Sequence, residues 1–303
     1  MTSTDLPSDA DALLELAGTH GLELSRETLR AEEIGLDFRV VFARARDGQD
    51  WVLRIPRRAD VLARAEIEGR LLRTVAPHLD VAVPDWRVHT EDLIAYPLLP
   101  GTPGLTLDAA GEVSWNVDVS SPDYARSLGA TVAQLHGIGI EEAAATGIDV
   151  LSPAQVRARW RTDLERVAES FEIAPPLWER WNAWVEEDSY WPRRSVLTHG
   201  EIYPGHTLVA DGRLSAVLDW TTAAVGDPAK DLMFQRVGAT EDAFELFLEH
   251  YEAGGGQLWP RLADHCTEMF SASPVAYGLF ALETGLAAHW EAAASSLNPT
   301  SEA

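Results

Sequence analysis

Cysteine occurs once in the 303 residues, at Cys266, and lysine once, at Lys230. A lone thiol excludes an intramolecular disulfide and any metal site built from several cysteines, and it fits a reducing cytoplasm. With so little lysine, a site that needs a buried cation must take it from arginine. Basic residues are scarce altogether: Lys and Arg number 24 against 48 Asp and Glu, a formal charge of −24. Nucleic acid and anionic membrane attract basic surfaces, so neither is expected as a partner, whereas a cationic small molecule suits the balance. No apolar run approaches the length of a membrane helix, about 20 residues. Met1 to Asp11 is polar and acidic, without a basic start or an apolar stretch, so a soluble, cytoplasmic protein is expected. What is present is a 46% hydrophobic composition, enough for one or two globular cores and too apolar for a disordered chain.

Ala10, Leu13, Leu14 and Ala17 fall at helical spacing within residues 9–19, and Gly21 ends that helix. Phe38 to Arg44 and Trp51 to Ile55 are β-rich runs joined through Asp47-Gly48, a hairpin signal, and Pro56 stops the second. The helical period returns from Ala59 to Val75. An extended run near Trp86-Arg87-Val88 and a strand from Leu93 to Tyr96 follow. Pro100-Gly101 and Pro103-Gly104 make the sharpest break in composition, which predicts units of residues 1–98 and 99–303. Beyond the break, Tyr124, Leu128, Val132 and Leu135 keep one face of a helix ending at His136-Gly137. Residues 153–187 read as two amphipathic helices split by Pro175-Pro176, with a face of Trp160, Trp178, Trp181 and Trp184. A β region comes next: Ser195 to Thr198, Thr207 to Ala210 and Leu214 to Asp219, the last two joined by Asp211-Gly212. Helices resume after Asp227-Pro228, with Asp as N-cap and Pro at the first helical position. The tail from Ser295 is expected to fray.

Two groups of residues stand out chemically. On the helix from Ala59, residues Val61, Ala65, Glu68, Leu72 and Val75 share one face, so Glu68 interrupts an apolar stripe while Glu66 points away. A carboxylate against a core needs a cation beside it. The strand Trp51-Val52-Leu53-Arg54-Ile55 offers one in Arg54; the alternative is that Glu68 reaches the helix edge and Arg54 faces solvent. The second group is His199-Gly200-Glu201 after an apolar strand, His206 five positions on, and Asp219 at the end of the next hairpin. As an isolated tripeptide, His-Gly-Glu is an ordinary turn. With His206 and Asp219 it converges carboxylates and an imidazole on one loop, where they can hold a divalent ion while Glu201 accepts a proton from a substrate hydroxyl.

His199-Gly200-Glu201 with His206, then Leu218-Asp219-Trp220 and Gly226-Asp227-Pro228-Ala229-Lys230-Asp231-Leu232, resemble the catalytic and metal motifs of the aminoglycoside phosphotransferase superfamily. Within it, Trp51 to Arg58, Pro84 to Val88, Gly205-His206 and Tyr251 to Leu262 resemble the macrolide 2′-phosphotransferases. The resemblance covers most of the chain. It implies an α+β, two-lobed protein-kinase-like fold, with an antiparallel-sheet N-terminal lobe and a mainly helical C-terminal lobe. Position by position, it implies that Glu201 takes the place of the catalytic Asp, one methylene longer, and that His206 replaces a metal-holding Asn or contacts a phosphate or metal-bound water. It makes Asp219 the metal chelator and gives Arg54 and Glu68 the place of the phosphate-gripping Lys and its helix partner. Asp231 becomes the brace of the catalytic loop, next to the substrate side. Ile94 to Leu98, including Tyr96 and Leu98, becomes the hinge that meets the purine, and Gly35-Leu36-Asp37-Phe38 the turn over the phosphates.

The implied activity is transfer of the γ-phosphoryl of GTP, with ATP possible and Mg²⁺ as the ion, to the 2′-hydroxyl of a cationic macrolide by a monomeric enzyme. Met233, Phe234, Phe270, Tyr277 and Phe280 are candidates for an apolar wall under the macrolide ring, and Glu268 for meeting its dimethylamino cation. Another small amino alcohol or an aminoglycoside as acceptor, or nucleotide binding without transfer, are the competing readings.

Overall fold

The computed structural model describes residues 10–32, 37–58, 61–107 and 111–299. α1 (Ala10–Thr19) precedes a five-stranded antiparallel sheet of β1 (Arg30–Glu32), β2 (Phe38–Arg44), β3 (Asp50–Pro56), β4 (Val88–His89) and β5 (Ile94–Pro97), in the order β1-β2-β3-β5-β4. α2 (Val61–Val75) lies between β3 and β4 in the chain. Alternation along β3 decides which residues meet which helix. Leu53 and Ile55 pack with Leu13 and Ala17 of α1, whereas Val52 packs with Val61 and Ala65 of α2. Arg54 shares the Val52 side, and this is how an arginine comes to face the helix that carries Glu68. The β2–β3 hairpin closes at Asp47-Gly48 as expected, and Arg44 and Asp50 clamp it with two hydrogen bonds of 2.7 and 2.9 Å.

Past the sheet come β6 (Thr102–Pro103) and a two-stranded ribbon of β7 (Leu105–Leu107) and β8 (Val113–Trp115) that the sequence reading did not contain. α3 (Pro122–His136), α4 (Ile140–Ala144), α5 (Pro153–Ala168) and α6 (Pro175–Glu186) follow. Pro175 and Pro176 open α6, where missing N–H groups cost nothing. β9 (Val196–Thr198), β10 (Thr207–Ala210), β11 (Arg213–Val217) and β12 (Ala224–Gly226) form two small sheets. β9 pairs with β12, and β10 lies between β11 and β6. α7 (Ala229–Gly238), α8 (Glu241–Ala253), α9 (Leu262–Ser271), α10 (Ser273–Thr284) and α11 (Ala287–Leu297) complete the helical lobe. Trp181 and Trp184 are buried at its centre, with Trp160 and Trp178 packed against them.

Two boundaries differ from expectation. The cap before α7 is Pro228, one residue later than read, yet the Asp227 carboxylate still accepts the Ala229 N–H at 2.9 Å. The helix does not fray at Ser295: it runs to Leu297, which is fully buried and whose carbonyl accepts the Ala174 N–H. Gly35 and Leu36 of the expected phosphate turn, like Asp9 and Ala59, lie outside the described residues. The lobes are tied behind the cleft, since Ala82 exchanges backbone hydrogen bonds with Ser215 and Val217, and Arg70 Nε donates to the Thr146 carbonyl. Among the described residues no helix is long and apolar enough to cross a membrane.

Candidate active site

β9 leads into His199-Gly200-Glu201, a loop held by backbone hydrogen bonds. Asp231, fully buried in the first turn of α7, accepts the N–H groups of His199 and Gly200 at 2.9 and 2.7 Å and lies 3.1 Å from His136 Nε2. Burial alone would push its carboxyl up. His136, His199 and the Gly200 amide outweigh that and hold it below the usual carboxylate range. His136 Nδ1 continues to the Tyr251 hydroxyl at 2.8 Å, so α3, α7, α8 and the loop share one buried network. His199 Nε2 faces the Leu218 carbonyl at 2.9 Å and must carry the hydrogen, while Nδ1 accepts the Glu201 N–H at 3.3 Å. Gly200 has φ +88°, and a Cβ there would stand 2.5 Å from the Thr222 carbonyl oxygen. Only glycine fits.

The short turn Pro204–His206 then brings His206 back between the two carboxylates. Its Nδ1 lies 3.1 Å from the Glu201 carbonyl oxygen, which can only accept, so Nδ1 is the protonated nitrogen. Nε2 is left facing Asp219 Oδ2 at 3.6 Å, and the Glu201 carboxylate stands 4.0 Å from Nδ1. Asp219 has φ +57°, a conformation that for a residue with a Cβ concentrates at functional sites. Partial burial raises its carboxyl, but hydrogen bonds from Thr221, at 2.6 Å from the hydroxyl, and the nearby His206 and Arg54 hold it below the ordinary value. Glu201 is shifted the other way: loss of solvent and the Asp219 charge raise it against His206 and Lys230. An imidazole lone pair and a carboxylate oxygen aimed at one space fit a divalent ion. Among the described residues no group of three His, Cys, Asp or Glu could hold one alone, so the ion would take its remaining ligands from phosphate and water, the usual manner of Mg²⁺.

Arg54 and Glu68 meet at 2.9 Å, both largely buried, in place of the solvent-facing alternative. The guanidinium lies 4.2 Å from the Phe38 ring centroid and 5.4 Å from that of Trp86. Burial opposes its charge, but Glu68, Tyr96 and Asp219 outweigh that, so Arg54 is a fixed cation at the Asp219 end of the cleft. Tyr96 is buried in the same place, which pushes its phenol up to about 12. Leu98 is a correction: it is exposed, and its N–H is already donated to the Asp50 carbonyl, so it has no amide to offer a purine. Asp37 is paired with Arg58 at 2.7 Å, which removes the repulsion it would otherwise exert on phosphate.

On the acceptor side the expected residues separate. Phe234 and Phe270 pack together beside Tyr203 and His206, with Met233 half-buried next to Phe234. Tyr277 and Phe280 instead turn to α11, where Tyr277 bonds His289 at 2.9 Å and Phe280 packs on the same ring. The other side of α10, Val275 and Leu279, lines a cavity of about 490 Å³ together with Glu68, Trp160, Thr198 and Thr222. Glu268 is a second correction: Arg180 binds both its oxygens, at 2.7 and 3.1 Å, so no free carboxylate is left for a ligand cation. Asp231 is a third, because a fully buried side chain cannot touch substrate and acts only as the brace. His136, Tyr251, Thr221 and Tyr203 received no role from sequence. His136 read as a helix end, although its place directly after the apolar face of α3 was a sign of burial.

A sequence profile of the phosphotransferase enzyme family matches residues 28–265. The macrolide 2′-phosphotransferase MphH of Brachybacterium faecium, solved as the apoenzyme, is 68% identical and superposes with a TM-score of 0.95 over 98% of this chain and 100% of that one. A type I macrolide 2′-phosphotransferase is 38% identical, with a TM-score of 0.90 over 99% and 100% of the two chains. YcbJ of Bacillus subtilis (strain 168), described as uncharacterized, is 40% identical over 96% of each chain. The two-lobed kinase-like architecture, the loop braced by Asp231 and these likenesses converge: the chain belongs to the phosphotransferase enzyme family.

Proposed function

We propose that this enzyme transfers the γ-phosphoryl group of GTP to the 2′-hydroxyl of a macrolide antibiotic in the cytoplasm, and so confers resistance by inactivating the drug. The observation that carries the reading is His206 standing between Glu201 and Asp219, in a chain 68% identical to a macrolide 2′-phosphotransferase. Phosphoryl transfer needs little covalent help, so the work is positioning and charge neutralisation. Residues 1–98 supply Arg54, braced by Glu68 and stacked on Phe38, as the cation for the phosphates. Residues 99–303 supply the rest. Glu201, whose carboxyl is raised by loss of solvent and by the Asp219 charge, accepts the proton of the attacking hydroxyl. Asp219 and His206 Nε2 would hold Mg²⁺, which would supply neutralisation of phosphate charge.

A wide apolar ring needs an apolar surround, and two surfaces supply it. One is the α10 side of the 490 Å³ cavity. The other is the β7–β8 ribbon, in which Leu105 faces Trp115 and Leu107 faces Val113, so that one face is wholly apolar. Leu107, Val113 and Trp115 are each more than half exposed, and the ribbon springs from Gly104, which bonds Thr207 beside the His206 turn. An apolar face left open at this place suits a macrolide better than a small, strongly polar acceptor.

The direct test is incubation with GTP, Mg²⁺ and erythromycin followed by mass spectrometry. A product heavier by one phosphoryl group is expected; nucleotide binding without product would reduce the chain to a binding protein, and ATP competing equally would remove the donor preference. Arg54→Ala is expected to raise the nucleotide KM about tenfold or more, the worth of a charge-assisted hydrogen bond, with acceptor KM unchanged. An unaltered nucleotide KM takes Arg54 out of the phosphate site.

A further inference from the structure

Tyr203 lies two residues beyond Glu201. Its ring packs edge-on against His206, with centroids 4.6 Å apart, and leans on Phe234 at 5.4 Å. Phe234 meets Phe270 at 5.8 Å, and Phe270 is 38% exposed. An aromatic row therefore runs from the carboxylate–imidazole centre out to solvent. The phenol curls back over the Pro204–His206 turn, because a Cβ built on Gly205 would come within 2.5 Å of both Cζ and Oη of Tyr203. Gly205 is not one of the positive-φ glycines. A side chain at this position would have to displace the ring, while the backbone itself would accept one.

Two carboxylates lie close to this half-buried ring, because His206, against which it packs, stands 4.0 Å from Glu201 and 3.6 Å from Asp219. An aromatic face in a carboxylate field is the environment that holds an alkylammonium: the ring quadrupole attracts the cation at short range, and the carboxylates add to it at longer range. Glu268 is not available for that task. On a macrolide's amino sugar the dimethylammonium sits on the carbon beside the reacting hydroxyl, so a hydroxyl held at Glu201 brings the cation within reach of the ring two residues on.

We propose that Tyr203, backed by Phe234, is the subsite for the tertiary ammonium of the acceptor and hence a specificity residue of the reaction; this rests on the macrolide reading above. Three variants assayed with erythromycin, GTP and Mg²⁺ test it. Tyr203→Leu removes the π face at similar bulk and is expected to raise acceptor KM about tenfold, within the range of a partly desolvated cation–π contact, while nucleotide KM stays constant. Tyr203→Phe keeps the face and stays within about twofold of the parent. Gly205→Ala displaces the ring and matches Tyr203→Leu, and combining the two adds nothing further. Tetramethylammonium competes with erythromycin for the parent and loses that competition in Tyr203→Leu, a readout that does not depend on turnover by the variant.

An unchanged acceptor KM in Tyr203→Leu overturns the subsite. So does an equal rise in nucleotide KM, or a tenfold loss in Tyr203→Phe, which would assign the contact to the hydroxyl. Failure of the function is distinguishable: a parent that binds GTP but phosphorylates no macrolide condemns the activity, whereas normal turnover with an indifferent Tyr203→Leu condemns only the subsite.

Discussion

Glu201→Gln is expected to lower kcat by about three orders of magnitude while nucleotide affinity stays within about twofold. Gln matches Glu in size, so the loop keeps its shape. His199 and Gly200 remain anchored on Asp231, and the His206 turn is held by the backbone carbonyl of residue 201, which the substitution does not touch. What disappears is acceptance of the hydroxyl proton, together with the carboxylate charge near the acceptor cation, whose loss would show in acceptor KM and not in kcat. Glu201→Asp separates position from chemistry. It restores the residue type of the wider superfamily but draws the carboxylate back by roughly an ångström, an error that can cost about a hundredfold. The order Glu, then Asp, then Gln in rapid-quench kcat is the expected result. A Gln variant within tenfold of the parent would move the base elsewhere, and an Asp variant faster than the parent would show that the loop is not built around the longer side chain.

Asp231→Asn is expected to cost about 3 kcal/mol or more of unfolding free energy, a large share of the roughly 5–15 kcal/mol that a domain commonly has. The carboxylate accepts two backbone amides and faces His136 Nε2 with no access to water. Asn can accept with one atom only, and its amide group meets donors with a donor. The charge itself is testable without a variant. Because the folded state holds the Asp231 carboxyl below its ordinary value, its contribution is complete above the usual Asp range, about pH 4, and is lost as pH falls through the lower folded value. Urea midpoints between pH 7 and pH 3 should therefore fall more steeply for the parent than for Asp231→Asn. Parallel curves would mean that this carboxyl is not depressed. Turnover should fall as well, since the His199-Gly200 amides lose the group that orients them.

Legibility in this chain follows distance along it. Arg54 and Glu68 are fourteen positions apart and were readable together, because a two-residue period puts Arg54 on the Val52 face of its strand and a 3.6-residue period puts Glu68 on the apolar stripe of its helix. His206 and Glu201 are five apart, joined by one tight turn and a hydrogen bond from the His206 imidazole to the Glu201 carbonyl. The Asp47-Gly48 and Asp211-Gly212 hairpins were likewise local: Gly48 in the first and both Asp211 and Gly212 in the second take a positive φ, which suits few residues.

Most of the corrected assignments depended on partners far away in sequence. Glu268 looked free until α6 brought Arg180 to it across 88 positions, and His136 looked like a helix end until Tyr251, 115 positions on, closed the network behind the catalytic loop. Leu98 lost its amide to a carbonyl of β3, and the helical period of α10 could not say that Val275 and Leu279, rather than Tyr277 and Phe280, would face the cavity. By itself the sequence determined most of the element types, the main hairpin turns, the acidic balance and the short-range pairs, because hydrophobic period and turn chemistry act within a few residues. Only the tertiary structure decided which polar groups were already satisfied and which stayed open to a ligand, because burial and hydrogen bonding are settled by whichever distant element packs alongside.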